Sequence, residues 1–292
     1  MKQTCMGCNG TDFESIYMGT LRAGSPGKNT KEKHNVIKCV GCELAKLEVF
    51  PSVDYDSSSY RESYNDTSLV EDYMEMHDHE QSRRLFKIGL DKFRGKVVLD
   101  YGTGGGAFLD AVKGVAKKTI AIEPFTGYHP SLKERGHEVF TYAEEAHNYI
   151  GKIDVVTSFG VIEHVNDPLI MLKHIHQFLN NTGLSYIETD NLNDVLTQFN
   201  MGEFEEFYYR TAHYWYFNSS ALSNLCSQAG FTDVQQGFLH NYNLSNTLHW
   251  LKDKQPRGDI DFDFISPMCD EAWKKSLELS GMAELLFFEL RK

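Results

Sequence analysis

The sequence predicts an α/β protein: a mostly parallel sheet with helices on both faces, preceded by a small four-cysteine module. Three observations predict it. Short apolar runs alternate with helix-period segments through the middle of the chain, the pattern of consecutive β-α units. The run Val97 to Asp100 leads into the turn Gly102-Thr103-Gly104-Gly105-Gly106 and a helix start, and the acid Glu123 closes the next apolar run. Two Cys-x-x-Cys hooks, Cys5/Cys8 and Cys39/Cys42, stand near the beginning of the chain.

Residues 1–50 are too few and too polar to form a core alone, the situation that a structural metal remedies. Four thiolates from two hooks suit a closed tetrahedral Zn²⁺ site, structural rather than catalytic. Disulfides and a redox pair are the alternatives, and a reducing cytosol disfavours the first. Gly7 and Gly41 precede the second cysteine of each hook, where a tight knuckle calls for a permissive backbone. Residues 51–94 read as a connector, rich in Ser, Asp and Tyr (Tyr55, Tyr60, Tyr64), followed by a helix. A capping box at Ser68-Leu69-Val70-Glu71 opens that helix, which runs toward Phe93.

The core is expected over 95–236. Strands are read at Val97–Tyr101, Thr119–Glu123, Glu138–Tyr142, Asp154–Phe159 and Leu184–Glu188. A helix capped by Asp167, with Pro168 in its first turn, turns Leu169, Leu172, Ile175 and Leu179 to one face. Another starts near Asn218 and stops at Gly230, with Cys226 on its apolar face, and strand Phe231–Gln235 follows. Residues 237–292 form a C-terminal extension with a closing strand, Leu285–Leu290. The aromatic stretch Asn191–Phe217 and the segment Gly237–Met282 exceed a minimal fold and read either as covers for a substrate or as core packing.

Composition narrows the function. The 292 residues are 41% hydrophobic, enough for a full core beside a small module. A formal charge of −12 argues against a nucleic-acid backbone as partner. The sequence has no apolar run of membrane-spanning length and no leader-like segment after Met1, so the expectation is a soluble cytoplasmic protein, with no membrane partner. A glycine turn followed by a carboxylate at the next strand end binds a nucleoside: glycines admit close approach, and the acid accepts from ribose hydroxyls. The acid leads here, at Asp100, and the pyrophosphate spacing Gly-x-Gly-x-x-Gly is absent from the turn.

Asp100-x-Gly102-x-Gly104-x-Gly106, Glu123, Ile162-Glu163-His164-Val165-x-Asp167-Pro168 and His213-Tyr214-Trp215-Tyr216-Phe217 together resemble class I methyltransferases that use S-adenosylmethionine (SAM), in the branch with ubiquinone-type and saccharide-modifying enzymes. The cysteine hooks resemble the zinc module of deoxysugar C-methyltransferases. Tyr101 and Thr103 depart from the residues common at those positions, but every needed glycine is kept.

The resemblance implies a Rossmann-like sheet. It places Asp100, Gly102, Gly104 and Gly106 at the amino-acid part of SAM, Glu123 at the ribose, and Glu144 and Phe159 near the adenine. It makes His164 a candidate base, with a loop-tying role as its alternative. Glu163 orients His164 or, with Asp190, joins a Mg²⁺ site, and His213 shares proton handling or binds substrate. The implied cofactors are SAM and structural Zn²⁺, with Mg²⁺ only in a metal-assisted variant.

The leading expectation is methyl transfer to a small hydroxylated acceptor, most simply a sugar or nucleotide-sugar. The alternatives are a metal-assisted O-methyltransferase of an aromatic or quinone-like molecule, and a non-catalytic SAM-binding protein whose zinc module docks a partner.

Overall fold

Residues 3–57, 70–258 and 260–292 are described in the computed structural model of the chain. Ser68 of the expected capping box, and Tyr60 and Tyr64 of the connector, lie outside them. The N-terminal stretch folds as an antiparallel sheet of β1 (Phe13–Gly19), β2 (His34–Cys39) and β3 (Ala45–Leu47). Helix α1 (Val70–Ile88) ends where Gly89 turns left-handed at φ 92°. The helix expected to reach Phe93 therefore stops short, and a 3-10 turn over Leu90–Phe93 carries Phe93 into the core.

Alternation then follows as the pattern predicts: β4 (Val97–Tyr101), α2 (Ala107–Lys113), β5 (Lys118–Ile122), α3 (His129–Glu134), β6 (Glu138–Phe140), β7 (Ile153–Phe159), α4 (Pro168–Phe178) and β8 (Leu179–Asp190). Asp167 caps α4 by accepting from the Ile170 N–H at 3.0 Å. Leu179, expected on that helix's apolar face, instead takes an extended backbone and starts β8 opposite Ile153.

The aromatic stretch supplies α5 (Gly202–Tyr208) and the two-residue β9 (Trp215–Tyr216). Next come α6 (Ser219–Ala229), β10 (Asp233–Gln235), β11 (Phe238–Leu239), α7 (Leu244–Asp253), α8 (Pro267–Ser280) and β12 (Leu285–Arg291).

The large sheet runs β10-β12-β8-β7-β4-β5-β6, with β11 also paired to β12. Strands β4 to β8 are parallel, and β12 enters antiparallel beside β8. Alternate side chains feed two apolar layers. Leu99, Val156 and Phe288 pack on one face with α4 and α6, and Val98, Val155 and Phe287 on the other with α1, α2 and α3. This is a Rossmann-like, doubly wound sheet, and its parallel strands present their carboxyl ends along one edge.

The small sheet is not built from residues 1–50 alone. Strand β9 pairs with β3, and the ring of Tyr214 stacks on Phe50 with centroids 4.6 Å apart. From α6, Asn224 and Gln228 each donate to the Gly7 carbonyl at 2.6 Å. The aromatic stretch thus serves both expectations: Trp215, Tyr216 and Phe217 are buried core, while Phe204, Phe207 and Tyr208 line a cavity.

Candidate functional site

A cavity of about 690 Å³ opens at the carboxyl edge of the parallel strands. Its first wall is the glycine turn. Gly102 and Gly104 line the cavity, while Gly106 abuts Leu132 and Arg135 outside the lining; all three hold positive φ (78°, 57° and 88°), a conformation that any side chain would strain. A Cβ on Gly104 would also strike the hydroxyl of Tyr73, which α1 lays across the turn. Asp100 fixes the turn from beneath, accepting from Thr103 Oγ1 at 2.7 Å and Thr157 Oγ1 at 2.6 Å, and burial pushes its carboxyl up. Glu123 accepts from the Gly104 N–H at 2.8 Å and the Phe125 N–H at 2.9 Å, and it lines the cavity.

Phe159 also lines the cavity, edge-on to Phe108 and beneath the Arg84 guanidinium at 4.6 Å. Arg84 reaches from α1 to Glu188 on β8, with its Nε 3.1 Å from the carboxylate. Glu144 is not brought here. It opens the turn Ala143–Tyr149 with a 73% exposed side chain, 3.9 Å from His174, and lies outside the cavity wall.

The second wall follows β7. Val161 packs beside Gly102 and accepts the His164 N–H at 2.9 Å, which sets His164 against the glycine turn. His164 Nδ1 lies 2.8 Å from the Ala212 carbonyl and 3.2 Å from the Tyr55 hydroxyl, which itself donates to Ala212 at 2.6 Å. A carbonyl can only accept, so the ring proton sits on Nδ1 and the basic lone pair on Nε2. Burial pushes the imidazole down to about 4. Ala212 orients the ring in the way expected of Glu163. The Glu163 carboxyl is instead held by Thr189 Oγ1 at 2.8 Å, and burial, together with the Asp190 charge, pushes it up to about 8.

His213 meets His164 edge-to-face at 4.6 Å, and its Nδ1 lies 3.2 Å from Asp190 Oδ2. Burial alone would raise the Asp190 carboxyl. His213 and the Arg210 guanidinium, 3.6 Å away, hold it well below its usual range. Burial and the same guanidinium keep His213 neutral. Glu163, His164 and His213 bring donor atoms within 4.8 Å of one another. Two imidazoles give this set more nitrogen than Mg²⁺ favours, and Asp190, the other expected ligand, is engaged by His213 and the Arg210 guanidinium, so the cluster does not fit Mg²⁺.

The four hook cysteines converge as expected. Cys5 and Cys42 sulfurs lie 3.4 Å apart, Cys8 and Cys39 sulfurs 3.5 Å, and all four within 4.8 Å. A tetrahedral zinc with Zn–S bonds of about 2.3 Å sets sulfurs about 3.8 Å apart, so the cluster has the geometry of a zinc site. The left-handed residues of the knuckles are Asn9 and Glu43, each just after the second cysteine, rather than Gly7 and Gly41. Gly7 is needed for space instead, since a Cβ there would come 2.9 Å from the Cys42 sulfur.

Several wall residues carried no local sequence signal. Tyr55 belongs to a polar connector and Arg22 to the cysteine module, yet both reach the cavity, Arg22 lying 4.2 Å over the Phe207 ring. His240 and Glu284 come from the C-terminal extension.

A family model described as a methyltransferase domain matches residues 74–236. The chain is 28% identical over 162 residues to a ubiquinone biosynthesis O-methyltransferase of Ruegeria sp., covering 51% of this chain and 66% of that protein. It is 29% identical over 126 residues to a tRNA U34 carboxymethyltransferase of Campylobacter lari, covering 38% and 40%. The chain thus spans about half the length of the curated relatives it matches. A SAM-dependent methyltransferase from Archaeoglobus fulgidus superposes with a TM-score of 0.52 at 16% identity, over 80% of this chain and 98% of that one, a likeness of fold.

Proposed function

The chain belongs to the methyltransferase-domain family, and from that membership we propose a SAM-dependent methyltransferase acting on a hydroxyl of a small saccharide or nucleotide-sugar. The observation that carries this reading is one continuous cavity, walled at one side by Gly102, Gly104 and Glu123 and at another by His164 and His213. The left-handed glycines and the Glu123 carboxylate are the residues that would hold SAM. When bound, SAM supplies a methyl group on a sulfonium, an electrophile strong enough that alignment and proton removal are the main tasks left to the protein.

The chain's own groups divide those tasks. Tyr73 and the Arg84–Glu188 pair bind α1 over the cofactor end and exclude water there. His164 Nε2 takes the proton from the acceptor hydroxyl as its oxygen attacks, while the Ala212 carbonyl keeps the Nδ1 proton and steadies the imidazolium that forms. Asp190 stabilises that charge through His213. Zn²⁺ on the four cysteines is structural, bracing the sheet that β9 completes and from whose module Arg22 reaches the cavity.

Calorimetry with SAM, S-adenosylhomocysteine (SAH) and NAD⁺ tests the cofactor. Micromolar binding of both adenosyl ligands and none of NAD⁺ is expected. Absence of both adenosyl ligands from the binding profile would overturn the reading of the glycine turn.

A further inference from the structure

At the end of the cavity away from the glycine turn, four polar side chains converge from three separate segments. Asp190, 3.2 Å from His213, pairs in register with Leu285 at the start of β12, the Asn191 N–H donates to the Glu284 carbonyl at 2.7 Å, and Tyr208 of α5 lines the same cavity as the two histidines. Four atoms there have no hydrogen-bond partner among the described residues: Tyr208 Oη, His240 Nε2, Asn241 Oδ1 and Glu284 Oε2. Tyr208 and His240 are 7% and 6% exposed, too buried for bulk water to satisfy them freely.

Their hydrogen-bonding roles are fixed by their surroundings. The Glu284 backbone N–H donates to His240 Nδ1 at 3.2 Å, so the His240 proton sits on Nε2 and that atom is a donor. Asn241 Oδ1 is an amide oxygen and can only accept. Tyr208 gives and takes. Phe204 and Phe207 line the same cavity, with ring centroids 5.1 and 5.0 Å from Trp250.

We propose that Tyr208, His240, Asn241 and Glu284 form the acceptor-recognition subsite, and that it takes a polyhydroxylated saccharide ring. The proposal rests on the methyl-transfer reading above and deepens it. Each ring hydroxyl both donates and accepts, so neighbouring hydroxyls satisfy a mixed set of donors and acceptors together. The C–H face of the same ring suits the aromatic wall. A phosphate offers acceptors only and leaves Asn241 unpaired. A flat quinone-like ring with an apolar tail leaves most of the set unpaired, and buried groups left unpaired reject a ligand strongly.

The experiment titrates the SAH-loaded protein with a methyl hexoside, a hexose 1-phosphate, a nucleoside-diphosphate hexose and 3,4-dihydroxybenzoate. At least one saccharide is expected to bind and the dihydroxybenzoate not to. Tyr208→Phe and His240→Phe should each weaken saccharide binding about tenfold or more while SAH affinity stays unchanged, and the unchanged SAH affinity also reports an intact fold. Binding of the dihydroxybenzoate alone, binding of no probe, or saccharide affinity equal in wild type and both variants would overturn the subsite. Failure of SAH to load strikes the cofactor reading instead and removes the ground of this one.

Discussion

Replacing His164 by alanine removes an imidazole whose proton the Ala212 carbonyl holds at 2.8 Å. The structure sets the size and the pH signature of the loss. With the ring held down to about 4 by burial, roughly one molecule in a thousand carries a protonated His164 at pH 7. The ring is therefore in its accepting form at neutral pH but is a weaker base than an ordinary imidazole. If it takes the acceptor proton, its removal should lower kcat by about 10²-fold, the low end of general-base contributions. SAH affinity should stay within about twofold, because Gly104 and Glu123 are untouched.

The sign of the pH dependence follows from the same burial. Activity needs the unprotonated ring, so it falls as pH drops through the folded-state value. The acid limb of kcat/KM should lie near pH 4, far below the 6.5 of an ordinary histidine. The assay is transfer of labelled methyl from SAM to a saccharide acceptor between pH 4 and 9, with SAH calorimetry in parallel. Tyr55→Phe removes the hydroxyl 3.2 Å from Nδ1 but leaves the carbonyl, so it should cost only about tenfold. An alanine variant within fivefold of wild type, or a wild-type acid limb centred on 6.5, refutes His164 as the base.

Three further outcomes are expected. Gly104→Ala places a side chain on φ 57° and against the Tyr73 hydroxyl, so it should lose about 1–2 kcal/mol of stability and most SAH affinity; unchanged values in melting and calorimetry would show that the turn is not the cofactor cradle. Elemental analysis should find one zinc per chain, and Cys39→Ser should abolish it and lower the melting temperature by several degrees; a metal-free wild type that melts at the same temperature would refute a structural site. Glu163→Gln should be more stable relative to wild type at pH 8.5 than at pH 5 by about 3 kcal/mol, read from urea midpoints. Wild-type Glu163 is raised from 4.5 to about 8, so the stability of its neutral form is kept below 4.5 and lost as pH rises toward 8, and parallel profiles for the two proteins would refute the buried neutral carboxyl.

The parts of the site legible in the sequence are those whose chemistry lies in contiguous residues. The glycine turn declares itself because only glycine tolerates three left-handed residues within five positions, and Asp167 and Asn218 declare helix starts because a cap sits beside what it caps. Glu123 was legible because the end of one parallel strand lies beside the turn after its neighbour, a relation set by β4–β5 pairing. Glu144 fails under the same logic, since β6 ends at Phe140 and the turn that follows carries its side chain outward toward His174.

What the sequence hid depends on long-range placement. The proton of His164 is positioned by a backbone carbonyl 48 residues away, and a carbonyl has no residue identity to read. His240 carried no pairing in its own segment. Its donor role appears only because the β12 approach brings the Glu284 N–H onto its other nitrogen. Arg22 is a surface-like residue of a cysteine module until β9, drawn from the aromatic stretch, completes the module's sheet and anchors it to the core. The cysteines therefore bear on more than local stability. Zinc held there as proposed would tie β3 to β9 and to the Tyr214 N–H that holds the Glu163 carbonyl, so its removal should weaken acceptor binding before it weakens SAH binding.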